Sequence, residues 1–204
     1  MTVLSLLLRG GILMYVLLLI SIAVIAIVIE KYRQIFKVKK CNRKVLEHLE
    51  PHNDPSALRQ ALSETDSDNP MAVMLGRLFY AQSDDGELIT QSMETAAQSE
   101  LHKLEKGLGW LSTFAAIAPL IGFLGTVIGM VRVFMNIQIH SSGGVDISML
   151  AGGIWEALLT TVGGLIVSIV AIIFYNDIVQ NLENIVKTMQ ESGVEYTIRM
   201  RQQV

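Results

Sequence analysis

The chain has 204 residues, 51% of them hydrophobic and 17% charged, with a net charge of −3; its mean hydropathy is +0.45 and its pI about 5.8. A soluble domain of this size carries about a quarter charged residues, so the composition speaks against a soluble enzyme, and the acidic balance gives no footing for a nucleic-acid partner. The charges are segregated, leaving three stretches almost free of them, which is the pattern of lipid-spanning helices joined by aqueous segments. The single cysteine, Cys41, excludes an intrachain disulfide.

The first uncharged run is Gly10 to Ile29, between Arg9 and Glu30. It is about the 20 residues that a bilayer requires of a helix. It is too long for the apolar core of a signal peptide, and Glu30-Lys31-Tyr32-Arg33 follows it in place of a small-residue cleavage site. An uncleaved anchor is expected, so residues 1–30 are read as a short tail and transmembrane helix 1. Lys31, Arg33, Lys37, Lys39, Lys40, Arg43 and Lys44 come next. Residues 31–106 are read as a helical domain. Within it, Asp54-Pro55 and Asn69-Pro70 each place a good N-cap before a proline at the first helical position. Helices near 55–64 and 70–82 are predicted, with a break at Ser83-Asp84-Asp85-Gly86. From Glu87 no proline or strong turn signal occurs before Pro119, so transmembrane helix 2 (107–131) is expected to continue a helix that starts outside the membrane.

A loop over 132–148 holds Arg132, His140 and Asp146 but no lysine. Transmembrane helix 3 (149–176) follows, with Glu156 as the one charge of its apolar run. No breaker separates it from a C-terminal helix within 177–204, and Ser192-Gly193 is the first expected stop. A helix from 149 to 190 would be about 60 Å long, twice the hydrocarbon thickness. Lys and Arg flank the inner ends of spans, which makes 31–106 and the C-terminus cytoplasmic and the N-terminus and the 132–148 loop periplasmic. The expected fold class is an all-α integral membrane protein with three transmembrane helices, a helical cytoplasmic domain between the first two, and long helices extending into the cytoplasm.

No enzyme motif is present, and no cofactor or metal site is expected. The glycines Gly122, Gly125 and Gly129 lack the Gly-Lys-Ser/Thr that a nucleotide loop needs. Gly125 and Gly129 form Gly-xxx-Gly, which lets helix backbones approach closely in a membrane. Ala115, Ala118, Gly122, Thr126 and Gly129 recur at steps of three or four and make one small-residue stripe. A second stripe holds Glu156, Thr160, Gly164 and Ser168, flanked by Thr161 and Gly163. A carboxylate in a spanning helix costs about 2.5–3.5 kcal/mol on insertion scales, and such residues face a bundle interior or a wet cavity. Ion handling and a structural hydrogen bond to a neighbouring helix are both open for Glu156. Folding the last two spans into a hairpin about residue 141 puts Thr126 and Glu156 at one depth. There the Thr126 hydroxyl would orient a water or bond its own helix. Arg132 is expected to snorkel to the outer surface near Asp146. The spans hold no second acid, so a complete ion path needs a carboxylate from another chain, or water.

Residues 118–130 (APLIGFLGTVIGM) and 153–165 (GIWEALLTTVGGL) resemble the second- and third-span motifs of the MotA/TolQ/ExbB proton channel family. Gly10-Gly11-Ile12-Leu13-Met14 and Ile29-Glu30-Lys31 look like the same family. The resemblance covers nearly the whole chain, is weakest at 45–100, and is closer to the three-span ExbB/TolQ branch than to MotA, although the chain is short for that branch. It implies a bacterial inner-membrane subunit that carries H+ and assembles as a homopentamer around an ExbD- or TolR-like single-span protein, which supplies the missing aspartate. The complex would work on a TonB- or TolA-like transducer, serving import across the outer membrane or envelope maintenance. The family's membrane threonine matches Thr126, its third-span glutamate Glu156 and its third-span threonine Thr161. A motility stator subunit and a non-conducting membrane scaffold are the alternative readings.

Overall fold

The computed structural model of the protein describes residues 11–52, 54–80, 85–139 and 147–201. Every regular element among them is a helix: α1 (Gly11–Leu49), α2 (Pro55–Ser63), α3 (Pro70–Phe79), α4 (Gly86–Glu105), α5 (Leu108–Ile139) and α6 (Ile147–Arg201). Three of them, α1, α5 and α6, are long and apolar enough to cross a membrane. The chain is therefore an all-α membrane protein. The expected N-terminal tail and residues 140–146 of the expected 132–148 loop lie outside the described residues, and the rest of that loop, 132–139 and 147–148, is helical.

The helices differ from the sequence expectation at several ends. α1 runs on from the first apolar stretch to Leu49, 39 residues or roughly 58 Å, because no glycine or proline interrupts it before Pro51. α5 does not continue α4. Gly107 has φ +89°, a left-handed conformation that glycine adopts without a Cβ penalty, and it ends one helix and starts the next. α5 also extends past Val131 to Ile139. Ser192-Gly193 does not stop α6, which is helical to Arg201. There the Ser192 hydroxyl donates to the Thr188 carbonyl at 2.9 Å. A Cβ on Gly193 would collide with the end of Met93, so this glycine makes room for a methionine and is not a terminator.

The chain forms two compact units, one from residues 1–29 and 107–176 and the other from 30–106 and 177–204. The first, a membrane unit, is packed by small residues. Along α5, Leu111, Ala115, Ala118, Gly122, Gly125, Gly129 and Val133 are buried. They meet Ala157, Thr160, Gly164 and Ser168 of α6, which are also buried. A Cβ on Gly164 would lie 2.5 Å from the Ala118 carbonyl oxygen, and one on Gly122 3.0 Å from that of Thr160, so the two backbones touch. Met14 and Leu17 of α1 pack on Ala118, and Gly163 lies against Met14. Phe123, Leu124, Leu158 and Ile166 point outward, as lipid-facing side chains do.

Pro119 lies inside α5 and has no N–H to give to the carbonyl of Ala115. The Ser168 hydroxyl donates to that carbonyl from α6 at 2.6 Å. In a bilayer no water is available to do so, and the serine both satisfies the freed carbonyl and ties the helix to its neighbour. Thr161 makes a second such tie, donating to the Gly122 carbonyl at 3.0 Å.

The other unit is packed by large side chains: Leu58, Met71, Met74, Leu75, Phe79, Ile178, Leu182 and Met189 are fully buried. Its short helices start at built caps. Asp54 accepts from the amides of Ser56 and Ala57, and Asn69 from those of Met71 and Ala72. Lys31 is buried here. Its ammonium donates to the carbonyls of Leu104 at 2.8 Å and Lys106 at 2.7 Å, and to Gln34 Oε1 at 3.0 Å. It thereby caps the C-terminal end of α4, where carbonyls lack helical partners. Burial pushes its pKa below the ordinary lysine value.

Candidate functional site

The membrane unit contains a cavity of about 210 Å³ where its three helices converge, with Glu156 and Thr160 of α6, Gly125, Gly129 and Arg132 of α5, and Gly11 of α1 in its wall. Small residues create the space. Gly11 has φ +66° and sits so close to Glu156 that a side chain at this position would overlap the carboxylate. Across the cavity, a Cβ on Gly125 would collide with the Thr160 side chain. Gly129 lies one turn further on α5, where a Cβ would fall 2.7 Å from that of Ala157. Glu156 is thus seated among glycines contributed by two other helices.

Arg132 supplies the charge that faces it. Its Nη1 lies 3.6 Å from Glu156 Oε1, and the two side chains are 58% and 35% exposed. The desolvation cost of the carboxylate is partly offset by this pairing. Asp146, the expected neighbour of Arg132, lies outside the described residues; among them, Arg132 pairs with Glu156.

The threonines are divided. Thr160 is buried, lines the cavity one turn from Glu156, and donates to the Ala157 carbonyl at 2.7 Å. Thr126 donates to Phe123 of its own helix at 2.6 Å, and Thr161 donates to Gly122 across the helix pair. Neither is in the cavity wall. Each hydroxyl directs its single proton at a carbonyl and keeps its lone pairs for acceptance. Gly122, Gly163 and Gly164 lie at helix contacts away from the carboxylate. Two residues of the site escaped the sequence reading. Arg132 was visible only as a span-end cation, and Gly11 only as part of a glycine pair. Among the described residues no group of three or more His, Cys, Asp or Glu side chains could hold a metal ion.

The arrangement joins one carboxylate, one guanidinium and a hydroxyl-bearing, glycine-lined space within apolar helices. It can hold a charge, exchange a proton at Glu156 and accommodate water.

Comparison with known proteins adds independent findings. The model of the MotA/TolQ/ExbB proton channel family matches residues 57–191, a range that includes most of the cavity wall. Biopolymer transport protein ExbB-like 3 of Synechocystis sp. is 31% identical over 170 residues, which cover 82% of this chain and 80% of the relative. Biopolymer transport protein ExbB of Neisseria meningitidis is 29% identical over 175 residues, 78% of this chain and 77% of the relative. The Tol-Pal system protein TolQ of Haemophilus influenzae is 31% identical over 115 residues, 56% of this chain and 44% of the relative.

Proposed function

Because the chain belongs to the MotA/TolQ/ExbB proton channel family, on its ExbB/TolQ branch, we propose that it is the multi-span subunit of an inner-membrane complex that couples the proton motive force to mechanical work on a TonB- or TolA-like partner. It acts as a transport component and not as an enzyme. The observation that carries this reading is the placement of Glu156 in a glycine-lined cavity with Thr160. An acid kept in a spanning helix at a cost of about 2.5–3.5 kcal/mol is a functional group by default.

The transported ion is H+. A carboxylate can take a proton from one side and release it to the other when its surroundings alternate. The spans of this chain hold no second acid, so the relay is completed by the carboxylate of an ExbD- or TolR-like single-span helix. A homopentamer of this chain encloses that helix. Thr126, Thr160 and Thr161, with their proton donors committed to carbonyls, offer lone pairs to water along the path. Lys31, Arg33, Lys37, Lys39 and Lys40 after the first span support a cytoplasmic location for residues 31–106 and the C-terminus, with the N-terminus and the 132–148 loop in the periplasm.

The test is to purify the complex with its single-span partner, reconstitute it and measure proton flux. Glu156→Gln and Glu156→Ala are expected to lower flux by about a hundredfold or more, the range for removing a positioned proton-transfer group, while native mass spectrometry still finds the assembled complex. A fully active Glu156→Ala complex would overturn the reading.

A further inference from the structure

We propose that the basic stripe on the outer face of α1 is a docking surface for a second copy of this chain, where it seats against the acidic flank of α4 in a head-to-tail contact that repeats around a ring. The inference rests on the reading of the chain as the repeated subunit of an assembly and deepens it by naming the two faces that meet.

Arg33, Lys37, Lys40 and Lys44 recur at steps of four, three and four, so they line one side of α1, and all four are exposed. Phe36 sits among them and is 77% exposed. The flanking cations are engaged: Lys39 donates to Asn181 Oδ1 at 2.6 Å, and Arg43 pairs with Glu47 at 2.7 Å. Among the described residues the four cations of the stripe make no ion pair. Lys44 lies roughly 22 Å along the helix from Ile29. A charged headgroup layer acts over about 8 Å, so lipid does not account for the far half of the stripe, whereas a protein surface of opposite sign does.

The flank of α4 is such a surface. Glu94, Gln98, Leu101 and Glu105 recur at the same steps of four, three and four. Glu94 is exposed and Glu105 half-buried, and among the described residues neither makes an ion pair. Nearby Lys103 is taken by Glu100 at 2.6 Å. On α6, Glu191 and Glu195 already face Lys187 and Arg199. The two faces are also level. Lys31 of α1 donates to the carbonyls of Leu104 and Lys106, and Tyr32 to Asp177, while Met93 lies against Gly193, further along α6. α4 therefore runs back alongside α1 and α6. Counting from the Lys31 contact puts Arg33 level with Glu105, Phe36 with Leu101, Lys40 with Gln98 and Lys44 with Glu94. Copies in one membrane are related by rotation about its normal, which keeps these levels. The faces then meet with opposite charges at both ends and an apolar pair, Phe36 and Leu101, between them.

The experiment is cysteine cross-linking of the full chain in native membranes, in a Cys41→Ser background, with two differently tagged copies co-expressed. Phe36→Cys on one copy and Leu101→Cys on the other are expected to give a disulfide-linked dimer on mild oxidation with copper phenanthroline. Neither variant expressed alone should give one, because the two faces differ. A dimer from Phe36→Cys alone, or none from the mixed pair, would overturn the proposal. Charge is read by reversal: Arg33→Glu with Lys44→Glu on the first copy is expected to lower the yield about fivefold, the worth of exposed ion pairs. Glu94→Lys with Glu105→Lys on the second copy should restore it, which a folding defect would not allow. A yield unchanged by reversal would overturn the proposal, and loss of bound anionic phospholipid in the same variant would assign the stripe to headgroups instead. Native mass spectrometry separates the two levels of the reading. A chain that is monomeric throughout would sink the assembly itself, whereas a normal oligomer without the link between positions 36 and 101 would sink this contact alone.

Discussion

The two units of this protein are packed by opposite rules. In the membrane unit the buried seam between α5 and α6 is Ala115, Ala118, Gly122, Gly125 and Gly129 against Ala157, Thr160 and Gly164; Leu17, Val24 and Leu111 are buried beside it, while Phe123, Leu124, Leu158 and Ile166 face outward. In the other unit the large side chains, Phe79, Met71, Met74 and Leu75 among them, are the ones buried. Water drives large apolar groups together. Lipid does not, so helices in it are held by backbone proximity and by hydrogen bonds that have no aqueous competitor. The membrane unit is therefore the place where a small cavity with a carboxylate can persist: the seam between α5 and α6 consists of small residues and leaves room.

That contrast can be broken by experiment. The largest effect is expected for Phe79→Ala. Its ring is fully buried and stacks edge-on with Tyr196 at 5.9 Å, so truncation should cost about 3–5 kcal/mol. Phe123→Ala removes the same group from an outward-facing position and should stay within about 0.5 kcal/mol. Thermal unfolding of the full chain in detergent compares the two, and equal shifts would contradict the contrast. Next is Gly164→Leu, whose side chain would meet the Ala118 carbonyl. It should cost at least the upper part of the range of about 1–3 kcal/mol for overpacked cores. Gly109→Ala has nothing within 4 Å of the added carbon and should be neutral or slightly stabilising. The smallest of the three losses is expected for Ser168→Ala, which leaves the Ala115 carbonyl below Pro119 without its donor. Hydrogen bonds between membrane helices average about 0.6 kcal/mol and reach about 1.7, and this one should fall in the upper half because proline has removed the helical alternative. A double-mutant cycle with Pro119→Ala checks it: the penalty of Ser168→Ala should shrink once position 119 carries an N–H.

Much of the fold was legible in the sequence because its signals are local. The apolar runs marked the three long helices, and Asp54-Pro55 and Asn69-Pro70 marked the starts of α2 and α3. Glu156 stood out as an acid in an apolar run. The features that were missed depend on what lies across from a residue. Gly107 and Gly193 are both lone glycines near polar residues, yet one breaks the chain with a left-handed φ and the other continues a helix that a methionine presses against. Asp146, the neighbour suggested for Arg132, lies outside the described residues; the contact of Arg132 with Glu156 on the facing helix had no signal in the sequence. Thr126 falls on the small-residue stripe by spacing, but Gly125 is the buried position and Thr126 bonds its own backbone.

The account stands on Glu156 facing water within the membrane. The most direct measurement is thiol accessibility of Glu156→Cys in a Cys41→Ser background, in the assembled complex in native membranes. The account predicts rapid modification by a small, membrane-impermeant charged methanethiosulfonate, with protection when the single-span partner is present in excess. Reaction only with a lipid-soluble maleimide, at a rate indifferent to the charged reagent, would place position 156 against acyl chains and contradict it.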